Sequence, residues 1–196
     1  MSDRLDMTVM YAVHDALRRE LEHLARVTVR VGEDPRTVLR TAVGWELFTE
    51  SLRVHDTTED DALWPVLRET LADRPDDLAL LEAMEAEHAA VDEVIAAIDA
   101  SLTDPDAGLD RLGDLVDSLV TGLTGHLKHE EDRALPLIQA VVTPQQWAYF
   151  GQVHGRRIGS DAPRLLPWLL EGATEQVTAT VLAPLSESAR AAYTAR

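Results

Sequence analysis

One short sequence pattern occurs twice in the chain and limits how the chain can fold. His55 to Leu67 reads HDTTEDDALWPVL, and His126 to Ile138, 71 residues later, reads HLKHEEDRALPLI. Both copies have His at the first position, Glu at the fifth, further acids, and then a proline followed by aliphatic residues. A single His-x-x-x-Glu is common on helix surfaces, whereas a duplicated one with matching flanks indicates an internal repeat. The pattern therefore predicts two related halves.

Apolar residues around the two copies recur at helical spacing. They step by three or four positions from Met10 to Val31, from Val38 to Val66, from Leu81 to Leu102 and from Leu109 to Val141. Such stripes are typical of helices that bury one face. The second helix is expected from about residue 35 to about residue 74, with a kink or break at Pro65. These patterns predict an all-α, up-and-down four-helix bundle.

Polar residues interrupt these stripes at matching positions. Each half has one histidine on its first stripe and a His-x-x-x-Glu about forty residues later on its second. An up-and-down bundle with short connections brings such positions to similar heights. A carboxylate on an apolar stripe needs a proton, an arginine or a metal ion, because burying it alone is costly. The predicted inward residues are His14, His55, Glu59, His88, His126 and Glu130.

The ligand types on these stripes indicate which metal would suit them. Four imidazoles and two carboxylates fit borderline divalent metals, above all a pair of irons bridged by carboxylates. Calcium and magnesium would need more oxygen ligands, and a structural zinc site needs only four ligands and often uses cysteine. The alternative is a metal-free helical scaffold, in which each histidine is a hydrogen-bonded core residue.

The sequence leaves open the roles of several acidic residues and histidines near the stripes. Asp92, one turn after His88, is either a further ligand or a hydrogen-bond acceptor for one. Glu131 competes with Glu130, because a local distortion of the helix would decide which of them points inward. The remaining histidines are predicted to face solvent or to be structural: His23, His129 and His154.

Composition excludes several classes of function. The chain has no cysteine, and so neither disulfides nor thiolate sites. Its net charge of −17 argues against binding nucleic acid or anionic membranes. No apolar run reaches the roughly 18 residues of a membrane span, and the N-terminus lacks an apolar signal core, so we expect a cytoplasmic protein. Nucleophilic triads and nucleotide fingerprints are also missing from the sequence.

Residues 143–196 are predicted to form a helical extension that packs on a bundle of residues 1–142. Thr143 to Gln146 resembles a capping box that opens a short helix ending near His154. We expect a loop over 155–161, a strongly apolar segment over 163–170, and a helix from 175 with a break at Pro184.

The series of inward residues resembles the hemerythrin-like, or HHE cation-binding, family over about residues 8–142, and the tail resembles extensions of actinobacterial members. The resemblance implies a four-helix bundle around a non-haem di-iron centre, oxo- or hydroxo-bridged, that binds dioxygen, nitric oxide or peroxide. It also implies that the four histidines are terminal iron ligands and that Glu59 and Glu130 bridge two iron ions.

The sequence departs from the oxygen-carrying hemerythrins at two positions. Where they have a second histidine after the third-helix His, this chain has Asp92, and where they have an aspartate after the last His, it has Glu131. With one histidine fewer, each iron is expected to keep an exchangeable position, which favours reaction over reversible storage. We therefore predict peroxide decomposition, a catalase-like activity in oxidative stress. The alternative is a non-enzymatic protein that senses or stores oxygen, nitric oxide or iron.

Overall fold

A computed structural model describes residues 4–28, 43–104 and 109–194, and within these ranges the chain forms helices and turns without a β-strand. A π-helical turn at Glu130–Ala134 and a 3-10 turn at Gly159–Asp161 join longer elements. The α-helices are α1 Thr8–Thr28, α2 Val43–Ala62, α3 Trp64–Thr70, α4 Pro75–Thr103, α5 Leu109–His129, α6 Leu135–Val141, α7 Pro144–Ile158, α8 Ala162–Leu169, α9 Glu175–Leu182 and α10 Glu187–Thr194.

Four of these helices form the bundle. Helix α1 packs against α2 and α5, and α4 packs against α5 and α2. The prediction of an all-α helical bundle is confirmed. The expected start of the second helix near Pro35, and the stripe residues Val31 and Val38, lie outside the described residues. No helix within the described ranges has the length and apolar character that crossing a membrane requires.

Prolines set two of the helix boundaries. The second helix is interrupted at Leu63, and Pro65 lies in the first turn of α3 that follows. Proline has no N–H to continue the helical hydrogen-bond pattern, so the predicted break is confirmed. Helix α4 begins with Pro75 and carries Asp76 and Asp77 in its first turn. Proline and acidic residues both favour a helix N-terminus.

Among the described residues, the buried apolar side chains form two separate clusters. One contains Leu17, Phe48 and Ile98, and the other contains Met84 and Ile138, among other residues. Along α2 and α4 the polar residues of the stripe lie between a part in the first cluster and a part in the second, and along α1 and α5 they lie near the point where one cluster is followed by the other. The described parts of the stripes are mostly buried, and a polar layer lies between the two clusters.

The C-terminal helices cover one side of the bundle. Helix α7 packs on α2, while α8 and α9 contact α1. The indole Nε1 of Trp168 in α8 donates to Glu20 Oε2 in α1 at 3.1 Å. The guanidinium of Arg19 donates to the carbonyl oxygen of Trp168. The division into a bundle of residues 1–142 and an extension of residues 143–196 stays a prediction.

The local predictions for this region were partly right. The capping box is confirmed: the backbone N–H of Gln146 donates to the Thr143 hydroxyl, and the backbone N–H of Thr143 donates to the side-chain oxygen of Gln146. The chain is also interrupted at Pro184, between α9 and α10. The predicted loop over 155–161 is wrong at its start, because α7 continues through Ile158. Arg156 and Arg157 lie in its last turn, where positive charge stabilises the end of a helix, and Ile158 packs against the core.

Candidate metal centre

The six residues predicted to face inward meet in the polar layer. Each is buried, and the exposed fraction of these residues runs from 0% to 3%. They come from α1, α2, α4, α5 and the π-helical turn, so every helix of the bundle contributes. They are His14, His55, Glu59, His88, His126 and Glu130.

Glu59 lies between histidines of the two sequence halves. Its Oε1 is 3.5 Å from Nε2 of His55, and its Oε2 is 3.5 Å from Nε2 of His88. One oxygen therefore faces each half. A carboxylate in this position can contact two metal ions at once, one beside each histidine.

Glu130 occupies the equivalent position in the other half. Its Oε2 is 3.1 Å from Nε2 of His14 and 3.9 Å from Nε2 of His126. The Nε2 atoms of His14 and His55 lie 3.2 Å apart. The two histidines of the first half thus lie side by side, and each glutamate reaches across to the other half.

Two compact groups of ligand-type atoms result. One consists of His14, His55 and Glu130, and the other of Asp56, His88 and His126. In each group, one ligand atom from every residue lies within 4.8 Å of the others. Asp56 is 4% exposed and was missed in the sequence because it is adjacent to His55 and off the stripe. The signal was an acid at a position that carries the buried Leu127 in the second copy of the repeat.

The structure also separates Glu130 from its neighbour. The helix widens into a π-helical turn at Glu130–Ala134. Glu130 is fully buried, whereas the Glu131 side chain is 22% exposed and its Oε1 is 2.9 Å from the Arg18 guanidinium. Glu130 is therefore the acid that reaches the centre of the site, and Glu131 lies outside it. A π-helical turn inside an α-helix is frequently found at a functional site.

The family to which this geometry points is also found by comparison with known proteins. The model of one protein family, described as the hemerythrin HHE cation-binding domain, matches residues 6–138. The chain belongs to this family. No curated protein and no solved structure matches the chain. Membership makes it a metal-binding protein with the hemerythrin-like helical fold.

Carboxylates orient three of the four histidines of the hemerythrin HHE site. In each case the Nδ1–H of the ring donates to an acid, at 2.8 Å or 2.9 Å. Such a bond fixes the tautomer and leaves the Nε2 lone pair facing the interior, as a metal-ligating histidine requires. The pairs are His14 with Glu131, His88 with Asp60, and His126 with Glu87. Sequence reasoning missed Asp60 and Glu87, each adjacent in sequence to a site residue.

The other candidate residues lie outside the centre of the hemerythrin HHE site. Asp92 is exposed, and Asp60 rather than Asp92 accepts from His88. Neither role considered for Asp92 is therefore supported. His129 is half-buried and donates to Glu87 at 2.8 Å. His23 is half-exposed, 3.6 Å from Glu20, and His154 is half-buried on α7.

Burial and mutual repulsion control the protonation of the two central glutamates. Burial raises the pKa of Glu59 well above its usual value, and the charge of Glu130 raises it further. Burial also acts to raise the pKa of Glu130, but His14 outweighs it and the pKa falls to about 2. Burial lowers the pKa of His14, whereas Glu130 and Glu131 together raise it to about 9. Without metal, His14 and Glu130 therefore form an ion pair beside a protonated Glu59.

Three of the remaining site residues favour the uncharged form. At His88, burial acts to lower the pKa, but the hydrogen bond with Asp60 and the charges of the nearby acids together outweigh burial and raise it. Burial and the charge of His14 lower the pKa of His55 far below its usual value. Burial, with the adjacent His88, also lowers the pKa of His126. Burial raises the pKa of Asp56 to about 7. Neutral imidazole is the form that binds metal, so the environment keeps two of these histidines ready for a metal ion.

The strongest sign that the residues fit a metal is a set of buried atoms without partners. Seven side-chain atoms at the centre form no hydrogen bond of suitable geometry with a described residue: both carboxylate oxygens of Glu59 and of Glu130, Oδ1 of Asp56, and Nε2 of His88 and of His126. Of these, Oε2 of Glu130 is paired with His14 only as an ion pair, at 3.1 Å. An unsatisfied buried polar group costs about 1–3 kcal/mol, more if charged. All seven are nitrogen or oxygen atoms of the kind that binds a divalent transition metal. The residues therefore fit a bound metal.

Proposed function

We propose that this hemerythrin HHE protein binds two iron ions, one at each group of ligand-type atoms. The proposal is supported by the seven buried, unpartnered nitrogen and oxygen atoms that face one another in the polar layer. Two positive ions would satisfy carboxylate oxygens that no arginine or lysine contacts in the described part of the chain. Mixed imidazole and carboxylate ligands favour iron over calcium or magnesium.

The two iron positions would differ in their ligands. His14 and His55 would hold one ion, and His88, His126 and Asp56 would hold the other. Glu59 and Glu130 would be shared, because each lies between histidines of both halves. The first position has one terminal ligand fewer, so an exchangeable coordination position is expected on the side of His14 and His55.

The protein supplies orientation and a dry environment for this centre. When bound, a pair of irons supplies redox chemistry toward dioxygen, peroxide or nitric oxide. Glu131, Asp60 and Glu87 hold three imidazoles in the ligating tautomer. Apolar clusters on both sides of the polar layer exclude bulk water, which strengthens electrostatic interactions inside. The residues are thus fixed before any substrate arrives.

The reaction we propose is decomposition of hydrogen peroxide, with a role in oxidative stress. Oxygen evolution from peroxide, followed with an oxygen electrode, should depend on iron loading. A Glu59→Ala, Glu130→Ala double variant should lose both iron and activity. An Asp92→Ala, Glu93→Ala variant is the matched control, because both of these acids are exposed on α4. Equal oxygen evolution by the Glu59, Glu130 double variant and the wild type would refute the proposal.

A second candidate is a non-enzymatic protein that senses or stores oxygen, nitric oxide or iron. The position of Asp56 favours it, because a fifth protein ligand beside His88 and His126 leaves an exchangeable position at one iron rather than at both. In that case metal occupancy would act through stability, since the unpartnered carboxylates destabilise the metal-free form. A large thermal shift on iron loading with negligible peroxide turnover would favour this candidate.

A further inference from the structure

A cleft of about 620 Å³ lies between the bundle and the C-terminal helices. Helices α1, α7, α8 and α9 form most of its walls. Its lining is mainly apolar and includes Val13, Phe150, Leu166, Leu169 and Val181. His55 of the metal centre also lines it. The cleft therefore adjoins the side of the centre where we expect the exchangeable position.

The cleft is too large for the diatomic gases or for peroxide. Sites for small organic molecules usually measure about 300–1,000 Å³ and are lined mainly by apolar side chains, with a few polar groups. Protein interiors are otherwise packed closely, with few voids larger than a water molecule. The volume and lining of this cleft are those of an organic ligand site beside a metal centre.

Glycines on α7 help to keep this space open. Gly151 and Gly155 lie four residues apart on one face of the helix and line the cleft. A Cβ atom added at either position would meet nothing within 4 Å, so packing does not require glycine there. Glycine inside a helix is less stable than alanine. Both glycines are exposed at the wall of the cleft, where neither carries a side chain that would extend into it.

Two histidines supply polar groups to the cleft. His55 is 1% exposed, and its Nε2 faces His14 and Glu59. Unlike the other three site histidines, its Nδ1 has no hydrogen-bond partner in the described part of the chain. His154 on α7 also lines the cleft, beside Phe150, without a hydrogen bond to any described residue. A few polar groups in a mainly apolar lining are what orients a bound organic ligand.

We propose that this cleft binds an uncharged, mostly apolar organic molecule whose single acceptor oxygen meets His55. The acceptor follows from the tautomer, and this step rests on the proposed metal function: with Nε2 on a metal, Nδ1 carries the proton and donates. An anion is excluded because no lysine or arginine among the described residues lines the cleft and the chain carries a net charge of −17. A cation would meet no buried acid there, because Asp6, the acid that lines the cleft, is exposed and already accepts from the Thr8 amide. The oxygen of the ligand would accept from Nδ1 of His55, as a carboxylate accepts from Nδ1 of each of the other three histidines.

Two naphthalenes of nearly the same shape test this proposal. Binding to the full-length, iron-loaded protein is measured by displacement of prodan, an uncharged fluorescent ketone. We expect saturable prodan binding, and 2-acetylnaphthalene should bind about fivefold more tightly than 2-ethylnaphthalene, because only the first carries an acceptor. Equal affinities would refute the contact with His55. An absence of saturable prodan binding would refute the site itself.

A pair of glycine variants locates the binding. Gly155→Leu places a bulky side chain in the cleft and should weaken prodan binding at least tenfold. Gly113→Leu is the matched control, because Gly113 is also a helical glycine with nothing within 4 Å of an added Cβ but does not line the cleft. Circular dichroism checks that both variants fold. Equal prodan affinity in both folded variants would overturn the proposal.

Metal analysis of the same samples separates this proposal from the metal function. Protein that binds prodan but takes up no iron would refute the iron site and leave the cleft as a ligand site. Protein that holds iron but binds no probe would refute the cleft proposal alone.

Discussion

Asp56→Asn should change stability and metal binding in opposite directions. The carboxyl is 4% exposed, Oδ1 has no hydrogen-bond partner, and burial raises the pKa of Asp56 from 3.8 to about 7. A raised pKa means that the unfolded state loses the proton first. The metal-free folded protein therefore loses stability as the pH rises from about 4 to about 7. Asparagine has nearly the same shape and does not ionise, so the variant avoids this loss.

The difference in pKa sets the size of the effect. One pKa unit corresponds to about 1.4 kcal/mol, so the cost that Asp56 imposes is about 2 kcal/mol at pH 5 and about 4 kcal/mol at pH 8. Between pH 5 and pH 8, the free energy of unfolding of the metal-free variant should therefore rise by roughly 2 to 3 kcal/mol relative to that of the metal-free wild type. Any constant difference between the two proteins, such as altered packing, cancels from this comparison.

Urea unfolding of metal-free wild type and variant, at several pH values from 5 to 8, measures this gain directly. The same variant should bind iron more weakly at one of the two positions, because it replaces a carboxylate ligand with an amide. A stability difference that stays constant from pH 5 to pH 8 would refute the assignment of a buried, protonated Asp56. Unchanged iron affinity would refute its role as a ligand.

Three further outcomes follow from the same structure. Glu130→Gln should lower the stability of the metal-free protein near pH 7 by about 3 kcal/mol, because the ion pair with His14 lowers the pKa of Glu130 from 4.5 to about 2. Urea unfolding measures this difference, and a variant as stable as the wild type would contradict the prediction. The lowered pKa makes this contribution present above about pH 4.5 and lost as the pH falls through about 2. Thr143→Ala removes the capping box of α7 and should lower the free energy of unfolding, measured by thermal unfolding, by about 1 kcal/mol. The iron content should not change, and a loss of iron would show that α7 supports the metal centre. Removing iron with a chelator should lower the melting temperature of the wild type but not of a Glu59→Ala, Glu130→Ala variant, and an equal fall in both would contradict a role for these acids.

The sequence predicted the bundle and the six central residues because both depend on local periodicity. Apolar residues at helical spacing identify the buried face, and a polar residue on that face stands out. The duplication of His-x-x-x-Glu then distinguished a shared site from isolated core histidines. The expectation of short connections placed the helices at similar heights, which is why residues such as His14 and His126 could be placed together without a structure.

Asp56 could not be found in this way. A stripe describes a helix that is covered on one side, whereas α2 contacts α1, α4 and α7. Residues 54–56, 58 and 59 are all buried as a result. The residues beside Asp56 at the site, His88 and His126, belong to α4 and α5, and no local pattern reports these contacts. The packing of α7 on α2 is a second long-range contact, and it forms part of the cleft beside His55.

The assignment of Glu130 rather than Glu131 also required the structure. Both acids lie at spacings from His126 that fit a helix, and the π-helical turn decides between them. The stripe predicted Glu130, but periodicity alone left Glu131 open as an alternative. The end predicted for α7 near His154 was also too early, because Gly155 lies within the helix, beside the cleft, and the helix continues to Ile158.

The central claim is that this hemerythrin HHE protein holds two iron ions in its polar layer. The most direct test is the number of irons per chain, measured by elemental analysis after anaerobic loading with ferrous iron and removal of unbound metal by gel filtration. We predict two irons per chain in the wild type and in the Asp92→Ala, Glu93→Ala control, and fewer than one in the Glu59→Ala, Glu130→Ala variant. One iron per chain in the wild type, or none, would contradict the proposed centre.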